Sequence, residues 1–167
     1  MRRRLKMYSV RKWTVSHAKS FNSVYKILEN TLSALHPVWK LIGYERVEKP
    51  VAFVEKHVKG LLFDCQMCGQ CVLHETGMSC PMNCPKTLRN GPCGGVRANG
   101  NCEVKPEMRC VWVEAWRGDQ IINNNQSIAG SRESILNVQI AVDHSLKGRS
   151  SWLKEVREKH LTVKDEV

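Results

Sequence analysis

From Ser23 onward the apolar positions Val24, Ile27, Leu28, Leu32 and Leu35 recur at helical spacing, which predicts an amphipathic helix. Pro37 ends or kinks it after His36, because a proline disfavours helical backbone at the residue before it. A second helix is predicted to open near Pro50, a residue suited to a first helical position. It carries Val51, Val54 and Val58 on one face and stops at Gly60. Between Cys65 and Cys110 neither the helical nor the strand period survives, and Gly, Pro and Asn punctuate the stretch. Loops and single turns organised by ligand bonds are expected there. The apolar run Cys110 to Val113 reads equally as a strand or as the buried start of a helix. Helical spacing returns with Ile135, Val138, Val142 and Leu146 behind a capping Ser131, with Gly148 as the stop; Ser151 caps a last helix through Trp152 and Val156. Residues 1–20 are basic with little apolar period, and read as a flexible or partner-bound arm.

The pattern gives a mainly α chain with an irregular, cysteine-rich metal- or cluster-binding core and room for one short β-hairpin. Four segments follow: a basic arm at 1–20, a helical flank at 21–64, a cysteine-rich domain at 65–117 and a helical tail at 118–167. With 167 residues the chain suffices for one ordinary domain and is too short for a catalytic barrel plus an accessory domain. It reads as one part of something larger.

The formal charge of +10 calls for an acidic partner surface, a phosphate-bearing ligand, or neutralisation of charge on a bound metal group. The start MRRRLKMYSVRKW is basic enough to open a signal peptide, but no apolar run of the required length follows it. No stretch has the apolar length of a membrane span, so the expected location is cytoplasmic. The sequon Asn125-Gln126-Ser127 then reads as a polar loop.

All eight cysteines fall between Cys65 and Cys110. Thiols crowded into one segment of a cytoplasmic chain bind metal or do chemistry more often than they form disulfides. Cys65, Cys68 and Cys71 follow a C-x2-C-x2-C spacing, which brings three thiolates around one small volume. Bacterial ferredoxin motifs continue that spacing with a cysteine before proline, and Cys80-Pro81 and Cys84-Pro85 supply two such dipeptides after an intervening loop. Zinc is the alternative: eight thiolates build two tetrahedral sites, and Cys65/Cys68 with Cys80/Cys84 make a pair-of-pairs site. Three evenly spaced thiols favour an iron-sulfur cluster, a [4Fe-4S] group in one or two copies. The preferred grouping is Cys65, Cys68, Cys71 and Cys110 on one centre, with Cys80, Cys84, Cys93 and Cys102 on the other.

A four-thiolate cluster keeps net negative charge, and Lys86, Arg89, Arg97, Lys105 and Arg109 lie in the same window, where they would raise its reduction potential. Gly91, Gly94 and Gly95 either let backbone amides reach sulfur or simply make tight turns. His74, the one histidine of the window, reads as a surface imidazole. Trp112 and Trp116 read as local core packing, with a cover over the site or a docking face as the other possibility.

The run LFDCQMCGQCVLHETGMSCPMNCPKTLRNGPCGG, residues 62–95, closely resembles the MetV-type accessory domain family of methylenetetrahydrofolate reductases; CPK-x-LRNGPCGG is its most specific part. The resemblance covers residues 60–117. It implies one-carbon, folate-linked metabolism, as the C-terminal domain of a longer protein or as a separate subunit beside a flavin-containing (β/α) barrel. The matching positions are Cys65, Cys68, Cys71, Cys80, Cys84 and Cys93, joined by Cys102 and Cys110. The chain offers no alternation of strands and helices from which to build the barrel, so catalysis by this chain alone is not expected.

Two functions compete. The first is an iron-sulfur accessory subunit that takes electrons from a donor and passes them toward the partner's flavin. The second is a redox-inert, zinc-stapled assembly subunit of the same reductase. Nucleic-acid binding ranks below both, because Asp64, Glu75, Glu103 and Glu107 nearly balance the cations of the cysteine window.

Overall fold

The computed structural model describes residues 2–123 and 141–165, within which there are six α-helices and no strand. They are α1 (Arg2–Ser16), α2 (Ala18–Ala34), α3 (His36–Ile42), α4 (Tyr44–Phe63), α5 (Val111–Ile122) and α6 (Ser151–Asp165). Two 3-10 turns, Pro81–Asn83 and His144–Leu146, complete the regular structure.

The predicted basic arm is helical instead: Arg, Lys, Leu and Met all favour helix, and α1 packs on α4 and α5. Its Thr14 and Val15 are buried, although too few apolar residues surround them to show a period in sequence. Helix α2 begins ahead of Ser23 and ends at Ala34, with Pro37 in the first turn of α3, where its missing amide removes no helical bond. Helix α4 opens at Tyr44, so Pro50 lies inside it and Gly60 does not end it. The chain tolerates Pro50 because that position and Arg46, whose carbonyl loses its helical donor, both face water. The stop is Asp64, whose left-handed backbone (φ 54°) turns its own amide and that of Cys65 back to the carbonyls of Gly60 and Lys59.

The inward faces also differ from the predicted stripes. Val24, Ile27, Leu35, Val54 and Val58 are exposed, whereas Ala18, Tyr25, Glu55, Lys59 and Phe63 are buried. The main core joins Ala18, Tyr25, Phe63, Leu73, Met78 and Trp152, and therefore clamps the start of the cysteine-rich segment between α2, α4 and α6. Cys110 to Val113 resolves as the start of a helix: Cys110 stands at the N-cap of α5, and Trp112 and Ala115 form a second, smaller core with it. No hairpin forms among the described residues. Two isolated antiparallel bridges, Val96 with Cys102 and Asn101 with Arg109, take its place; the first closes over the turn at Gly100 (φ 80°) and the second over residues 102–108.

Most of the helix predicted from Ser131 lies outside the described residues, as does the sequon at Asn125. Its far end is not α-helical: Val142 carries no regular structure and Leu146 closes a 3-10 turn. That turn covers the first cysteine loop. The Met67 carbonyl accepts from the Gly148 amide at 2.8 Å, and Gly69 meets Leu146 so closely that a Cβ there would stand 2.4 Å from its carbonyl oxygen. Helix α6 is capped by Ser150 rather than Ser151, with the Ser150 hydroxyl accepting from the Leu153 amide at 3.3 Å. Trp152 and Val156 are buried as their spacing predicts.

Candidate metal centre

Once α4 ends, the backbone coils: Asp64, Met67 and Gly69 all take positive φ (54°, 49° and 75°), and past Cys65 an amide turns to sulfur. The Met67 amide donates to Cys65 Sγ at 3.3 Å, and the Met82 amide acts the same way on Cys80. Amides two residues on from a cysteine thus point at its sulfur in both loops, the support a metal-bound thiolate receives from its surroundings.

Cys65, Cys68, Cys71 and Cys80 line one cavity, together with Lys59 and Arg89. Cys84, Cys93, Cys102 and Cys110 line another, which Trp112 and Val96 help to close. The structure therefore exchanges Cys80 and Cys110 relative to the grouping preferred from sequence. The cause lies in two local elements. The 3-10 turn Pro81–Asn83, fastened to the end of α4 by the Asn83 side chain donating to the Phe63 carbonyl at 2.9 Å, leaves Cys80 on the side of the triple-cysteine loop. The Asn101–Arg109 bridge, with the Cys110 amide on the Gly100 carbonyl at 3.0 Å, holds Cys110 beside Cys102. The pair-of-pairs zinc set is not brought together, since Cys84 faces the second cavity. Three residues separate Cys80 from Cys84, a span of at most about 14 Å even if fully extended.

None of the eight cysteines is in a disulfide. Among the described residues no group of three or more His, Cys, Asp or Glu could hold a metal ion as it stands; the thiols are spread around two cavities. Burial pushes the Cys65 thiol up to about 11, with the neighbouring Cys71 and Cys68 adding to the effect. Cys80 is raised for the same reasons, burial first. Deprotonation of these thiols at neutral pH needs a compensating positive charge.

Two buried cations meet the first cavity, and the exposed Arg149 stands at its edge. Arg89 is 8 % exposed; its Nη1 donates to Cys68 Sγ at 3.7 Å and Met82 Sδ at 3.4 Å, and its Nη2 donates to the Gln70 carbonyl at 3.2 Å. Its Nε is buried without a hydrogen-bond partner. Lys59, from α4, is 1 % exposed and donates to Glu55 at 2.8 Å and Ser151 Oγ at 2.9 Å. Burial opposes its charge, but the electrostatics of Cys71 and Glu55 outweigh burial and raise its pKa. A pocket carrying these cations, one of them without a carboxylate, fits an anionic group, and four thiolates on iron-sulfur or zinc supply one.

Sequence reasoning named Arg89 among five basic residues without distinguishing it, and missed Lys59 and Glu55. Their spacing of four along α4 was visible, but not that it faces inward. Trp112 is buried at the second cavity, with its Nε1 donating to the Leu88 carbonyl at 3.3 Å, whereas Trp116 is 60 % exposed. His74 is an exposed imidazole beside Glu75, at 3.6 Å.

A family model described as the methylene-tetrahydrofolate reductase C terminal matches residues 44–136, more than half of the chain. The chain belongs to this family. No curated protein and no solved structure matches it. Within the reductase C-terminal family the matched region opens at Tyr44, the first residue of α4, and takes in all eight cysteines together with Glu55, Lys59 and Arg89. Helices α1 to α3 and α6, which wrap this region, lie outside the match. No described helix is long and apolar enough to cross a membrane.

Proposed function

We propose that this chain is the iron-sulfur accessory subunit of a flavin-dependent methylenetetrahydrofolate reductase, holding two [4Fe-4S] clusters and passing electrons toward the partner's flavin. One observation carries the reading: two sets of four thiols, each around its own cavity and separated by a single 3-10 turn, inside the region that matches the reductase family. Cys65, Cys68, Cys71 and Cys80 would hold the first group, and Cys84, Cys93, Cys102 and Cys110 the second. When bound, such groups supply one-electron chemistry to a flavin partner.

The chain's own residues arrange the rest. Amides of Met67 and Met82 support the sulfurs of Cys65 and Cys80, and Arg89 supports that of Cys68. Trp112 keeps water from the second cavity, and the turn at His144–Leu146 roofs the first cysteine loop. The alternative, a redox-inert zinc staple, uses the same thiols, so loss of a cysteine cannot separate the two and metal content can.

The test is anaerobic turnover of the chain with its flavin-bearing partner, driven by a one-electron donor. Activity is expected to require the chain and to collapse in Cys68→Ser. Unchanged turnover by an intact complex carrying Cys68→Ser would remove the electron-transfer role.

A further inference from the structure

The basic side chains of the cysteine window do not stand alike after folding. Lys86 pairs with Glu103, Arg109 pairs with Glu114 at 2.7 Å, and Arg97 is exposed and reaches only a backbone carbonyl, that of Glu103, at 3.5 Å. Arg89 alone is buried, and among the described residues no carboxylate stands within ion-pair distance of it. Its partners are two sulfurs and a carbonyl, and one of its nitrogens has none. A buried guanidinium with no carboxylate beside it is costly, and a carbonyl and a thioether do not offset it. The compensating charge has to come from what the cavity holds.

The same cavity receives a second buried cation. Lys59 stands 4.9 Å from the ring of Trp152 and 5.4 Å from that of Tyr25, so its position is fixed by α2, α4 and α6 together. The second cavity has no equivalent. The cation on its wall is Lys86, partly exposed and already paired with Glu103. Adding an electron adds a negative charge, and a nearby buried cation or a hydrogen bond to sulfur stabilises the reduced form.

We infer that Arg89, assisted by Lys59, holds the reduction potential of the centre at Cys65, Cys68, Cys71 and Cys80 above that of the centre at Cys84, Cys93, Cys102 and Cys110. The first centre is then where an electron taken from a one-electron donor rests before it leaves for the flavin. Clusters held by these thiols would exchange one electron at a time, the donor being oxidised by one electron for each that the chain takes up and the partner's flavin being reduced by one for each that it gives up. The inference rests on the iron-sulfur reading above.

The test is an anaerobic potentiometric titration of the full-length chain, with dithionite as reductant, followed by electron paramagnetic resonance and with iron, sulfide and zinc measured on each sample. The wild type is expected to show two midpoints. Arg89→Met lowers the upper one by about tenfold in equilibrium constant, which is 59 mV for a one-electron couple, and leaves the lower one in place. Arg89→Lys restores most of the shift, and Lys86→Met leaves the upper midpoint unmoved. The double variant Glu55→Gln/Lys59→Met leaves no lone buried carboxylate, and also lowers the upper midpoint. It decides the matter if Arg89→Met does not retain iron. An unchanged upper midpoint in an iron-replete variant, or a shift of the lower midpoint instead, overturns the inference while leaving the iron-sulfur reading intact. Stoichiometric zinc without iron overturns both.

Discussion

Glu155 of α6 and Lys59 of α4 meet around the hydroxyl of Tyr25, which lies 3.4 Å from Glu155 Oε1 and 3.5 Å from Lys59 Nζ. Burial pushes the Glu155 carboxyl up to about 7, with Lys59 opposing and Glu29 and Glu55 adding to it. A carboxyl raised from its ordinary 4.5 to about 7 favours the folded state below its unfolded pKa, and that contribution is lost as pH rises through 7. Glu155→Gln is therefore expected to stabilise the protein at pH 8, by about 2 kcal/mol, and to leave it nearly unchanged at pH 4.5. Denaturant midpoints at the two pH values check this, and equal effects at both would contradict it. The Glu55–Lys59 pair gives a second expectation. Glu55 also accepts from the Ser150 hydroxyl at 2.6 Å, so it is bound from both α4 and α6. Glu55→Gln alone strands a buried ammonium and is expected to cost about 3 kcal/mol or more, and the double change Glu55→Gln/Lys59→Met less than the sum of the single ones. Additive costs in a double-mutant cycle would mean that the pair is not coupled. The gathering of the cysteines around shared cavities was legible in sequence because they crowd at short spacing. Glu55 and Lys59 were not, because a charged pair four apart on a helix ordinarily faces water.

At the scale of elements, the loop after the first cysteines and helix α5 touch through two glycines. A Cβ on Gly118 would stand 1.9 Å from the Gly77 carbonyl oxygen, and one on Gly77 would stand 2.4 Å from the Asp119 amide nitrogen. Backbone therefore lies directly on backbone, and this contact ties α5, whose N-cap is Cys110, to the segment that leads into Cys80. Gly118→Ala has no room and is expected to cost about 2 kcal/mol or more, together with some loss of bound metal, because the helix must back away from the loop. An unchanged denaturation midpoint would show that the contact is looser than this. The existence of α2, α4 and α6 could be read from apolar spacing, whereas α5 could not be told from a strand and the inward faces of α2 and α4 could not be read. Apolar residues on α2 outnumber the places the core offers, so Val24 and Ile27 stay outside while Ala18 and Tyr25 go in. On α4 the inward stripe includes the charged pair Glu55 and Lys59, which masks the signal that periodicity relies on. The hairpin expectation failed for a related reason: around Gly100 the cysteines point into a cavity, and the pairing stops after isolated bridges.

For the whole molecule, the family match and the two thiol-lined cavities occupy the same region, and α1 to α3 with α6 enclose it. The cysteine spacing announced a cluster-type segment, but which thiols share a cavity depends on how one 3-10 turn and one bridge fold, and neither leaves a periodic trace in sequence. The central claim is that both cavities hold iron and sulfide. The direct measurement is anaerobic purification of the full chain, a visible spectrum before and after dithionite, and iron, sulfide and zinc quantified on the same sample. The account predicts a broad brown absorbance that bleaches on reduction, with roughly eight iron and eight sulfide per chain. A colourless protein carrying stoichiometric zinc would contradict it.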